Sequence, residues 1–172
     1  MKRKLIALLL SVIVAVCPLL LCGCSAKYEE QSIDWTLHAK LISQDGQIIR
    51  TFQFDLSADI AYDPDDNTKP GTMNLDIVWP AWFQFANNGP QEYEVWPSSG
   101  NENLSFHAST VDWDLYQNTT VLGTLAIAPE KEYVIFFWDD TYLIASTESD
   151  IPREDIESFF AQSYPAYDFP DD

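Results

Sequence analysis

The sequence predicts an all-β fold, an antiparallel sandwich or closed barrel of seven to nine short strands with one C-terminal helix. Three observations predict it. Apolar and polar residues alternate with period two through most of residues 33–146, as strands with one buried face require. Clusters of Gly, Pro, Asn, Asp and Ser interrupt the alternation at short intervals. Helical spacing occurs late, after Asp150.

The opening hairpin is the clearest element. Ile33, Trp35, Leu37, Ala39 and Leu41 share one face, with Asp34, Thr36, His38 and Lys40 on the other. Asp45-Gly46 is a hairpin turn. The return strand sets Phe52, Phe54, Leu56, Ala58 and Ile60 inward against Thr51, Gln53, Asp55, Ser57 and Asp59. Asp63 to Gly71 is a loop dense in turn formers, followed by a strand with Met73, Leu75, Ile77 and Trp79 on one face. Pro80 to Pro97 is aromatic and broken by prolines, with a short strand over Glu92–Trp96. Leu104, Phe106 and Ala108 then alternate, as do Val111, Trp113 and Leu115. Val121–Ala128 is a strand, and Tyr133–Trp138 and Thr141–Ser146 form a hairpin about Asp139-Asp140. The unbroken hydrophobicity of these last strands predicts cover on both faces. In the helix, Asp150 is placed to cap, Pro152 suits the first turn, and Glu154 and Asp155 favour its positive end. Ile156, Phe159 and Phe160 form its buried stripe, and Pro165 stops it.

Ahead of this domain lies a targeting segment. Lys2, Arg3 and Lys4 precede an apolar run from Leu5 to Leu21, then Cys22-Gly23-Cys24. A basic region, an apolar region and a small residue before the cut make a secretory signal. Leu21-Cys22-Gly23-Cys24 resembles the lipobox of bacterial lipoprotein precursors, with Cys22 departing from the usual small residue at its place. The resemblance implies a signal peptide over 1–23 that is removed, and a diacylglyceryl group on Cys24. It implies a tether over 24–32, leaving 33–172 as a single β-rich domain on the extracytoplasmic side of a cell membrane. An ordinary cleaved signal and an uncleaved transmembrane helix are the alternatives. The run of 17 residues is short for a span, and Pro18 would kink it.

Charge narrows the partners. Without Lys2, Arg3 and Lys4, six basic residues face 27 acidic ones, a net of −21. That excludes nucleic acid, whose affinity comes from phosphates neutralised by Lys and Arg, and keeps the domain off anionic headgroups. Cys17, Cys22 and Cys24 all lie in or at the end of the signal, so the domain forms no disulfide in an oxidising compartment. Aromatic burial must hold it.

No catalytic signature stands out. His38 and His107 sit in separate strands on faces expected to be solvated, and no Gly-x-Ser-x-Gly turn is present. Asp63, Asp65 and Asn67 match the first ligand positions of a calcium loop, but Thr68 replaces its glycine and Asn74 its glutamate. No metal or other cofactor is expected. Glu92/Glu94 and Asp112/Asp114 are the carboxylate pairs a hydrolase would use.

The aromatic segment is the functional lead: Trp82, Trp96, Phe83 and Tyr93 are the candidate contact residues for a ligand or partner. Trp79 belongs to the core by alternation, and Trp82 and Trp96 are expected as an exposed pair. The competing reading is that these rings close one end of the core. The expected function is a lipid-anchored envelope module that binds a protein or a glycan without catalysis. The closing order, an apolar hairpin and then a Pro-started helix, resembles the end of a lipocalin, without that family's Gly-x-Trp on the first strand. That likeness implies the alternative, a carrier of a small apolar ligand; a carboxylate-dependent hydrolase is the third reading.

Overall fold

A computed structural model describes residues 28–83, 90–98, 104–115, 119–138, 141–164 and 169, with backbone alone for 109–115 and 119–122. The signal segment, Cys24, Asp139-Asp140 and Pro165 lie outside the described residues. Eight strands follow in order: β1 (Glu29–Ser43), β2 (Ile48–Tyr62), β3 (Gly71–Val78), β4 (Gln91–Ser98), β5 (Ser105–Leu115), β6 (Thr119–Ala128), β7 (Tyr133–Trp138) and β8 (Thr141–Ser146). A 3-10 turn at Pro129–Lys131 joins β6 to β7, and helix α1 (Arg153–Ser163) comes last.

Each strand pairs antiparallel with the next, and β8 returns to β1, so the sheet closes into a barrel rather than splitting into a sandwich. Closure uses the length of β1. Its whole length pairs with β2, while its second half, His38–Ser43, also pairs with β8. The strand starts at Glu29, four residues before the alternation does, because β2 runs on to Tyr62 and offers Glu29 a backbone partner. The stretch read as tether is therefore partly strand. At the turn, Gly46 takes φ 78°, a left-handed value that favours glycine. β5 is one strand where two alternations were read. Between Ala108 and Val111 the backbone register with β6 shifts by one residue, a bulge at the place where the two alternations meet.

The inward alternation holds throughout β2, where Phe54, Leu56, Ala58 and Ile60 are buried and the residues between them are exposed. A second apolar layer lies outside. Ala126, Ile135 and Ile144 point away from the barrel and pack with Ile156, Phe159 and Phe160 of α1. This is the double cover expected for the last strands. The buried polar side chains among the described residues, Ser105 and Ser146, alternate with inward residues and so face outward; the buried inward side chains are hydrophobic, with the Tyr62 hydroxyl bonded to Glu29 at the barrel end.

The start of α1 corrects the sequence reading. Pro152, not Asp150, occupies the cap position, with no side-chain cap bond; its carbonyl accepts the Ile156 N–H at 3.0 Å. Arg153 supplies the missing tie by donating from Nη1 to the Gly46 carbonyl at 2.9 Å. Among the described residues no helix is long and apolar enough to cross a membrane.

Candidate functional site

The register assigns the two ends of the barrel. The β1–β2 turn, the end of β3 and the start of β8 share one end. The first residue of β1, the β2–β3 loop and the start of β5 share the other. At the turn end, the chain leaving β3 folds back over β2. There the Phe83 N–H bonds the Pro80 carbonyl at 2.8 Å, closing a turn over Pro80–Phe83.

That turn builds a file of rings from the core to the surface. Phe136 and Phe54 lie deepest, with centroids 6.3 Å apart, and Trp79 packs 4.6 Å from Phe54 and 5.7 Å from Phe136. Phe83 follows at 5.0 Å from Trp79, then Phe52 at 4.9 Å from Phe83. Trp82 stands edge-on to Phe52 at 5.1 Å and is 43% exposed, against 9% for Trp79. The Arg50 guanidinium caps the file, its carbon 3.5 Å from the Trp82 ring centroid. Ile48, Ile49 and Val78 are exposed at this same end.

The candidate contact residues separate. Trp82 and Phe83 meet at 5.5 Å in this file. Phe83 and Phe52 are half-buried and pack on the core, so part of the segment does close the barrel end. Tyr93 faces inward on β4, half-buried, and its hydroxyl bonds Gln91. Trp96 is 39% exposed on the outer face of β4, beside His107 of β5. Trp82 and Trp96 are both exposed but are not a pair. Val95 pairs with Gly71, the first residue of β3, while Trp82 lies beyond its last. Arg50 and Phe52 enter the site unforeseen. Their signal in the sequence is their common phase, two residues apart on one strand face.

Neither histidine gathers a catalytic set among the described residues. His38 bonds Gln53 across β1 and β2. His107 is half-buried instead of solvated: Tyr164, just past α1, lies edge-on at 4.6 Å, and burial lowers the His107 pKa. The Tyr164 hydroxyl also meets the Ser105 hydroxyl at 3.2 Å. Glu92 and Glu94 are exposed on the outer face of β4, and the side chains of Asp112 and Asp114 lie outside the described residues. In the acidic loop, Asp66 is held by Lys69 at 2.7 Å and by Thr68, which lowers its pKa to about 2. No group of three or more metal-ligating side chains is arranged for a cation among the described residues.

The chain matches no protein-family model, no curated protein and no solved structure.

Proposed function

We propose that this chain is a lipid-anchored, extracytoplasmic binding module of a bacterial cell envelope that acts without catalysis. It would be held to its membrane by a diacylglyceryl group on Cys24 and would bind a partner with the aromatic end of its barrel. The observation that carries the reading is where the rings lie: the file from Phe136 to Trp82 reaches the surface at the end away from Glu29, where the anchor enters. Residues 24–28 span at most about 18 Å when extended. The 15 residues of β1 run about 46 Å along the strand, or about 35 Å along a barrel axis at ordinary tilt. When the barrel stands on its tether with the Glu29 end toward the bilayer, the aromatic end points away from the membrane. It faces the envelope space, where a protein or a glycan is the partner.

Fractionation tests the anchor. Cys24→Ala should move the protein to the soluble exported fraction, while Cys22→Ala should leave it on the membrane. A Cys24→Ala protein that stays bound through a carbonate wash would instead support an uncleaved Leu5–Leu21 helix.

The second reading, a carrier of a small apolar ligand, is favoured by a different observation. The barrel is closed and the buried inward side chains among the described residues are hydrophobic, the Tyr62 hydroxyl at the Glu29 end apart. Eight strands enclose a space that side chains fill or that one small ligand shares with them. Saturable binding of an apolar probe to the folded protein, competed by long-chain molecules, supports this reading; no saturable binding removes it.

A further inference from the structure

We propose that the rim of the aromatic end is a subsite for the carboxylate head of a single-chain amphiphile. Arg50 takes the head, and Trp82, Phe52 and Phe83 take the first part of the chain. The proposal rests on the carrier reading and names its ligand class.

The order of residues along β2 carries it. Arg50 pairs with Leu41, an inward position of β1, so it shares the phase of Phe52, Phe54 and Leu56. Read from the rim inward, one strand face runs cation, ring, ring, aliphatic. That is the sequence of an anionic amphiphile entering tail first. The other inward residues of β2 down to Tyr62 are apolar apart from that tyrosine's hydroxyl, so the cation is confined to the solvent end of the file.

Stacking fixes how Arg50 presents itself. A guanidinium lying flat on an indole keeps its N–H edge in its own plane, turned away from the ring. A carboxylate meets such an edge with two parallel hydrogen bonds. Lys69 and Arg153 pair with Asp66 and Glu157. No carboxylate among the described residues lies in ion-pair range of Arg50, in a chain with 27 acidic residues. The same excess of negative charge repels free anions. A small carboxylate would gain too little at Arg50 alone, whereas a chain adds burial against Phe52, Phe83 and Trp82 and against the exposed Ile48 and Ile49.

The test uses the full chain in phosphatidylcholine nanodiscs, with empty discs as reference, titrated with 11-bromoundecanoate and 11-bromoundecanol. Bromine quenches tryptophan on contact. The acid should quench saturably with at least about tenfold higher affinity than the alcohol, the usual scale of a charge-assisted pair. Arg50→Gln should erase that difference, whereas Trp82→Phe should leave most of the quench, because the bromine at the far end of the chain lies inward of Trp82. Equal binding of acid and alcohol to the unaltered protein overturns the subsite and leaves the carrier reading standing. Saturable binding of neither probe overturns both.

Discussion

Tyr142 of β8 donates its hydroxyl proton to Glu157 of α1 at 2.6 Å. Arg153 closes the triangle, donating from Nε to the same carboxylate at 2.7 Å and from Nη2 to the Tyr142 oxygen at 3.1 Å. Burial first, and then Glu157, push the Tyr142 phenol well above its ordinary pKa, so it remains a donor. Together with the Arg153 bond to Gly46, this polar patch locks α1 to the barrel at the aromatic end. Tyr142→Phe leaves Glu157 short of a donor in a half-buried place and should cost about 1–3 kcal/mol in urea unfolding. Fluorescence of the barrel tryptophans should still report a folded core.

The two kinds of tryptophan should answer truncation differently. Trp79→Ala removes a buried ring packed on Phe54 and Phe136, and should cost on the order of 3–5 kcal/mol. Trp82→Ala and Trp96→Ala, at 43% and 39% exposure, should each cost much less. A large melting loss at Trp82 would mean that it serves as packing and would remove the surface role.

Gly71 allows β3 to begin tight against β2. A Cβ built there would lie 2.5 Å from the Ala61 carbonyl oxygen and 3.0 Å from the Tyr62 Cβ. Because the first of these is backbone, no side-chain rotation relieves the clash. Gly71→Ala should destabilise by about 1–3 kcal/mol through overpacking, measured by chemical denaturation.

Acid should weaken the fold through His107. Burial lowers its pKa below the ordinary 6.5, so between the two values the unfolded chain binds more protons than the folded one. Its contribution is complete above about 6.5, falls as pH drops below that value, and levels off once the folded pKa is passed. His107→Gln should flatten that part of the stability–pH curve. An unchanged slope between wild type and variant would show that carboxylates alone account for it.

Calcium should leave the melting temperature unchanged. Thr68 stands where a calcium loop needs glycine and Asn74 where it needs glutamate, and Asp66, beside the candidate ligands Asp63, Asp65 and Asn67, is already engaged by Lys69 and Thr68. A calcium-dependent rise in thermal unfolding would contradict this.

Much of the fold was legible in the chain because period-two alternation is a local property: each residue of β1 and β2 reports its own face. The buried stripe of α1 was legible for the same reason, at helical spacing. Boundaries were less so. Glu29 to Ser32 carry no alternating signal and are strand because β2 continues opposite them. Asp150 looked like a cap, but the helix is tied through Arg153, whose partners Gly46 and Tyr142 are far away in sequence.

By itself, the sequence determined the strand faces, the turn at Gly46, the double cover of β6–β8 and the split of Trp79 from Trp82. Each follows from hydrophobic spacing or from a residue's own backbone preference. Tertiary structure decided what no local pattern encodes. Whether the sheet closes depends on β8 finding the second half of β1, a pairing across about 100 residues of chain. Where the aromatics meet depends on the same long-range register. It sends Trp96 to one end of the β3–β4 pair and Trp82 to the other, and it brings Arg50, from a different strand, over the Trp82 ring.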